Sequence, residues 1–408
     1  MSSWRERWQN LWQRLNTPLF TSQPPRTSNP TVEAISHEYL AIWLEILEVK
    51  IDSNSDPQVV YPILQKYQDQ LNFDFAETIS QWFHSQLDPD NIEKNKDLAK
   101  NLYNFALDIW GFPLGSRANN LEIAIVAYQA ALEVYTRTAF PEYWAMTQNN
   151  LGNAYRNRIR GERADNIEEA IRYFQAALEV RTRTAFPEDW AMTQNNLGAA
   201  YNDRIRGERA DNIEEAIRRY EAALEVLTRT AFPYEWATTQ HNLGAAYNDR
   251  IRGERADNIE EAIRRYEAAL EVRTRTAFPE KWAMTQNNLG LAYNDRIRGE
   301  RADNIEEAIR RFQAALEVRT RTAFPEKWAM TQSCLGLAYS DRIRGERADN
   351  IEEAIRRYQA ALEVYTRTAF SYEWARTQMN LGIAYGGRIR GERADNIEEA
   401  NSAATNPP

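Results

Sequence analysis

The chain has 408 residues, of which 43% are hydrophobic and 27% charged, and a formal net charge of -9 that is unevenly placed. Residues 1–116 carry 9 Lys/Arg against 15 Asp/Glu, while Arg255–Glu300 holds eight of each. Mixed charge without a basic stripe argues against nucleic acid as a partner. The lone cysteine, Cys334, excludes a disulfide framework and a cysteine-ligated zinc site. No stretch is apolar for long enough to span a membrane and no secretory signal heads the sequence, so the expectation is a cytoplasmic protein.

Taken from the N-terminus, Trp4, Trp8, Leu11, Trp12 and Leu15 share one side of a short helix, with Arg5, Arg7 and Arg14 alongside. Two readings stand: an interfacial anchor or docking peptide, or a segment folded back onto the helices that follow. Membrane contact is expected only through Trp4, Trp8 and Trp12. Pro18, Pro24, Pro25 and Pro30 among Ser and Thr make the rest of residues 1–30 a linker. Apolar periodicity predicts helices over 32–51, 57–71 and 74–87, with Pro62 kinking the second. Asn104-Phe105-Ala106 aligns with Asn150-Leu151-Gly152, so 92–112 reads as the worn first helix of a repeat. Residues 31–116 are thus expected to form a helical cap that includes a degenerate half repeat.

From 117 to 400 the sequence is a tandem array of six full repeats and a partial seventh. Arg163-Ala164-Asp165-Asn166 returns at Arg209, Arg255, Arg301, Arg347 and Arg393, always 46 positions on. Trp144, Trp190, Trp236, Trp282, Trp328 and Trp374 keep the same step. Self-similarity at this period marks a solenoid in which each unit packs on its neighbours.

Within one unit, Pro187 suits the first position of a helix and pushes Phe186 out of helical geometry. Trp190, Leu197, Tyr201 and Ile205 then fall on one face, and Gly207 is expected as a left-handed cap. Asp211 reads as the N-cap of the second helix, with Glu214 completing a capping box. Ile213, Ala216, Ile217, Tyr220, Ala223 and Leu224 supply its apolar stripe. Gly198 lies mid-helix, where glycine costs about 1 kcal/mol relative to alanine. Its return at 152, 244, 290, 336 and 382 implies close backbone packing, with Ala216 and Ala223 as the expected small partners.

The spacing Leu197-Gly198-x-x-Tyr201, then Ala216-x3-Tyr220-x2-Ala223, resembles the tetratricopeptide repeat, lengthened at both hairpin ends and with Gln194 where that family commonly has tryptophan. The resemblance implies an all-α, right-handed superhelical solenoid of helical hairpins with a helical N-terminal cap. The pattern breaks off after Glu398-Glu399-Ala400, and 401–408 reads as a disordered tail. Trp374, Leu381 and Tyr385 of the last hairpin then lack cover, which points to self-association through the C-terminal end.

Asp56-Pro57-Gln58-Val59-Val60-Tyr61-Pro62 and Gly111-Phe112-Pro113-Leu114-Gly115-Ser116-Arg117 resemble the opening of a bacterial family, chiefly cyanobacterial, with these same long units. Many of its members lead into a caspase-like CHAT peptidase domain. The resemblance implies an adaptor role in signalling, or the sensing arm of such a protease whose catalytic domain this sequence does not include. It transfers no catalytic residue.

No catalytic constellation, cofactor motif or metal-ligand set is legible. The histidines are His37, His84 and His241, far apart in sequence, and no phosphate or dinucleotide loop occurs. The expectation is a non-enzymatic scaffold binding a protein or peptide. By alignment with tetratricopeptide arrays, the first helices line a concave groove. Asn149, Asn195 and Asn287, with His241 and Ser333 in the same column, are expected to face it beside Asn150, Asn196, Asn242, Asn288 and Asn380. A carboxamide both donates and accepts, so such a ladder can hold a peptide backbone. It can equally bond to itself or to helix ends. One turn on, the column reads Asn153, Ala199, Ala245, Leu291, Leu337, Ile383, increasingly apolar toward the C-terminus. Asn202-Asp203, Asn248-Asp249, Asn294-Asp295 and Ser340-Asp341 follow as an acidic-polar rail suited to a partner with a basic edge.

Overall fold

The computed structural model describes residues 30–405; the tryptophan segment at Trp4–Trp12, nearly all of the linker and residues 406–408 lie outside the described residues. Among the described residues there are seventeen helices and no strand. Contacts divide the chain into two units, meeting at Thr136 and Arg137.

In the first unit, α1 (Pro30–Asp52), α2 (Pro57–Lys66) and α3 (Phe73–Gln86) precede a hairpin of α4 (Ile92–Gly111) and α5 (Arg117–Val134). Helix α1 packs on α2 and α3, and α3 packs on α5. Trp43 is fully buried, edge-on to Phe105 at 4.9 Å between ring centroids and to Trp82 at 5.6 Å. Such edge-to-face pairs favour one arrangement of the three helices that carry them. Helix α2 ends at Lys66, one turn beyond Pro62, short of the 71 expected. Lys50 and Asp108 form a buried ion pair; burial pushes the ammonium pKa down and the carboxyl pKa up.

The second unit is six helical hairpins in tandem. Their first helices are α6 (Pro141–Asn157), α8 (Pro187–Asn202), α10 (Pro233–Asp249), α12 (Pro279–Asp295), α14 (Pro325–Asp341) and α16 (Ser371–Gly386). Their second helices are α7 (Arg163–Leu178), α9 (Arg209–Leu224), α11 (Arg255–Leu270), α13 (Arg301–Leu316), α15 (Arg347–Leu362) and α17 (Arg393–Thr405). Each second helix packs on its own first helix and, α17 apart, on the next. Ile213, Ala216, Ile217 and Tyr220 of α9 thus share a core with Ala199 of α8 and with Leu243 and Ala246 of α10. A hairpin buries its second face only when the following one is present, which is the logic of a solenoid.

Gly198 has the reason its repetition implied, with a different partner. A Cβ there would lie 2.9 Å from the Tyr220 ring and 3.2 Å from the Ala216 carbonyl oxygen, so the ring and the backbone fill the space rather than Ala223. The Gln194 side chain is buried and accepts from Arg219 Nη1 at 3.1 Å, and Gln240, Gln286 and Gln332 do the same with Arg265, Arg311 and Arg357. The glutamine that stands in place of an aromatic therefore ties the two helices of a hairpin by a charged hydrogen bond.

The turn between the helices departs from expectation. Helix α8 ends at Asn202, so Ile205 leaves the apolar stripe and is exposed. Helix α9 begins at Arg209 behind Glu208, which makes no side-chain cap bond; Asp211 and Glu214 sit inside the first turns instead of forming a capping box. Both carboxylates turn to the following hairpin. Glu214 accepts from Arg250 Nε and Nη2 at 2.8 and 2.9 Å, and Asp211 from Arg252 Nη2 at 2.5 Å. The same forked pairing joins Arg204 to Glu168, Arg296 to Glu260, Arg342 to Glu306 and Arg388 to Glu352. The Arg250 bond holds the Glu214 carboxyl below its ordinary pKa. Gly207 does take a left-handed conformation, φ 79°, within the turn. At the far end the repeat pattern stops at Ala400 but the helix does not. The tail expected to be disordered from 401 continues α17 to Thr405, with Ala403 packed against the last core.

Candidate binding groove

Successive first helices are joined by side-chain hydrogen bonds, and these decide which columns face solvent. Asn149 Oδ1 lies 3.2 Å from the Thr193 hydroxyl and accepts from Asn196 Nδ2 at 3.1 Å. One hairpin on, Asn195 Oδ1 accepts from Asn242 Nδ2 at 3.2 Å. Next, His241 meets the Thr285 hydroxyl at Nδ1, 3.1 Å, and Asn288 at Nε2, 3.4 Å. Asn287 Oδ1 is 3.0 Å from the Thr331 hydroxyl, and Ser333 is 3.4 Å from Thr377. Asn149, His241, Asn287 and Ser333 are buried, and Asn195 is half-buried. This column, expected to line the groove, is turned into the joint between repeats, because four of its residues meet a buried threonine of the next first helix and Asn195 meets Asn242. Its polar atoms are satisfied there, as burial requires.

The neighbouring column stays half-exposed at Asn150, Asn196, Asn242, Asn288, Cys334 and Asn380. One turn further the gradient in residue type becomes a gradient in exposure. Asn153 is half-buried, Ala199 buried, and Ala245 and Leu291 half-buried, whereas Leu337 is 39% and Ile383 67% exposed. On the same face, one turn the other way, stand Met146, Met192, Met284 and Met330, interrupted by Thr238 and Arg376. Sequence reasoning missed this methionine column, although its spacing of four from the Asn150 column signals a shared helix face.

The rail at the helix ends differs from expectation in charge. Asp203 pairs with Arg156 at 3.0 Å and Arg163 at 3.4 Å, and Asp341 with Arg301 at 3.3 Å; Asp249 and Asp295 pair with Arg209 and Arg255 at 3.6 and 3.7 Å. Each carboxylate has an arginine partner, so the rail carries both signs of charge rather than an acidic edge alone. Asn202 and Asn248 are half-buried and Asn294 buried, and the Oδ1 of each is enclosed without a hydrogen-bond partner.

Beneath the N-terminal ends of the first helices runs a column of buried arginines that the sequence did not reveal. Arg181 pairs with Asp189 at 3.1 Å, and Arg319 has Glu280 at 3.8 Å. Arg273, 1% exposed, has neutral partners alone: Nη1 donates to Thr285 and Nη2 to Thr238, both at 3.1 Å, and Nε has none. Burial drives its pKa down to about 10. Burial also holds His241 well below its ordinary pKa, with Arg273, Lys281 and Arg319 adding to the effect, so its ring is neutral. Among the described residues no three His, Cys, Asp or Glu side chains gather as a metal site, and no helix is long and apolar enough to cross a membrane.

Tetratricopeptide repeats are recognised directly in this array: the family model matches residues 190–226, 236–275 and 282–322. No curated protein matches the chain. Among solved structures the chain is similar to the APC/C hetero-tetramer Cut9-Hcn1, at 16% identity and TM-score 0.45, covering 84% of this chain and 57% of that one. It thus spans little more than half the length of that relative. The apo form of RapI is similar at 14% identity and TM-score 0.46, covering 91% and 97% of the two chains. The TPR domain of P58(IPK) follows at 13% identity and TM-score 0.29, covering 91% and 98%.

Proposed function

We propose that the chain is a non-enzymatic scaffold that binds a segment of another protein along the solvent side of its first helices. The observation that carries this reading is the column from Ala199 to Ile383. It passes from a buried methyl to an isoleucine 67% exposed while the glycine, leucine and tyrosine framework repeats unchanged. Packing gives no reason for a larger side chain held in water, whereas an apolar ligand does. The methionine column beside it suits such a ligand, since thioether side chains adapt to irregular surfaces. The half-exposed carboxamides between the two columns can bond a ligand backbone. Asn153, Asn202, Asn248, Leu291, Leu337 and Ile383 are the expected groove residues that this reading keeps in contact with ligand. Asn149, Asn195, His241 and Asn287 position them from the joint, and Asn294 lies enclosed at a helix end. The resemblance to arrays linked to caspase-like domains is the reason to seek the partner among bacterial signalling proteins.

The test is selection of random peptides displayed on phage against the immobilised full chain. Enriched peptides should share an apolar end and lose affinity about tenfold or more for Leu337→Asn and Ile383→Asn, as expected when a buried aliphatic contact is replaced by an amide. Peptides that bind these variants and the parent equally would overturn the reading.

A further inference from the structure

Exposed apolar side chains of the repeat array are scattered, with one exception. Ile159, Ile205, Ile251, Ile297, Ile343 and Ile389 stand in the turns of the six hairpins, 46 positions apart, each 60–61% exposed. These turns are held firmly. Asn212 Nδ2 donates to the Arg206 carbonyl at 2.9 Å, and Asn258, Asn304 and Asn350 repeat the bond at 2.9, 2.8 and 2.9 Å. The arginine before each of the last five isoleucines is clamped to a glutamate of the preceding hairpin, and the arginine after it to an aspartate. The isoleucine is therefore displayed by a rigid turn, and display on a rigid support lowers the ordering cost of a contact. No other large apolar side chain of the array is exposed in every repeat.

We propose that this isoleucine edge is where two copies of the chain pair, ladder against ladder, a surface separate from the peptide-binding face. A partner that engages all six side chains must carry apolar groups at the spacing of this array, and a second copy does. Charge agrees. Glu208, Glu254, Glu300 and Glu346 stand in the turns without an ion-pair partner. Beside them Arg206, Arg252, Arg298 and Arg344 each give one Nη2 to an aspartate and remain more than half exposed, with donors to spare. The edge is self-complementary, as a two-fold interface must be, and a repeat with eight charges of each sign does not repel its copy.

Sedimentation equilibrium of the full chain over a range of concentrations tests this. The expected result is a reversible passage from one-copy to two-copy mass. Ile251→Lys with Ile297→Lys should raise the concentration of half-association about a hundredfold, since each change is felt twice across a two-fold axis, with helicity unaltered. Ile251→Val with Ile297→Val should leave association nearly intact. One-copy mass at all concentrations would overturn the proposal. So would association that survives the lysine pair but is abolished by Met379→Lys with Ile383→Lys on the exposed face of α16.

Discussion

Replacing Gly198 by alanine sets two effects against each other, and the structure says which is larger. In an exposed helix the change would stabilise by about 1 kcal/mol through helix propensity. Here the added Cβ would lie 2.9 Å from Tyr220 and 3.2 Å from the Ala216 carbonyl oxygen. Tyr220 is 2% exposed and packed among Ile213, Ile217 and Leu243, so its ring has little room to retreat, and the carbonyl belongs to a helix backbone. Overpacking of this kind costs about 1 to 3 kcal/mol, leaving a net loss of up to about 2 kcal/mol. Gly152→Ala should lose more, because Phe174 stands at 2.7 Å. Gly382→Ala meets only a carbonyl at 3.2 Å and a methyl at 3.8 Å, and Gly386→Ala meets nothing within 4 Å. Urea titrations followed by far-ultraviolet dichroism should rank the midpoints Gly152→Ala lowest, then Gly198→Ala, Gly382→Ala and Gly386→Ala. A Gly198→Ala midpoint equal to or above that of Gly386→Ala would refute the close-packing argument.

The joint between the third and fourth hairpins supports two more predictions. His241 is neutral and buried, faced by Thr285, Asn288 and the Tyr266 ring at 5.3 Å, with Arg273, Lys281 and Arg319 as the nearby cations. Its folded pKa lies below its unfolded value, so below about pH 6.5 the unfolded chain binds the extra proton, and stability should fall by up to about 1.4 kcal/mol per pH unit. His241→Asn, the residue of the same column at 195 and 287, should remove that part of the acid sensitivity in thermal melts at pH 5 and pH 7; an unchanged pH dependence would contradict it. Arg273→Leu, the residue of its column at 227, should be neutral or stabilise by about 1 to 2 kcal/mol, because no carboxylate is left behind. A large drop in melting temperature would show that the guanidinium has a partner the geometry does not reveal.

The sequence makes the hairpins and their order legible because the signals are local. Pro187 marks a helix start, and the stripe Ile213, Ala216, Ile217, Tyr220 marks a buried face. The turn misleads because Asp211 and Glu214 match a capping box while their carboxylates belong to Arg252 and Arg250, some forty residues away. Ile205 continues a helical spacing that Asn202 has already ended. The asparagine columns separate for a similar reason. Asn149 and Asn150 are one residue apart on α6, and what buries the first is Thr193 on another helix. One repeat read alone contains no record of that neighbour. Charge on the rail was also out of reach, since Asp203 is answered by Arg156 from the hairpin before.

Hydrogen exchange on the full chain, with and without a selected peptide, tests the scaffold reading most directly. Added protection should appear in α12, α14 and α16, around Leu291, Leu337 and Ile383, and leave the second helices α13 and α15 and the isoleucine turns unchanged. Protection confined to α13, α15 or the turns, with the first helices unaffected, would contradict the assignment of the binding face.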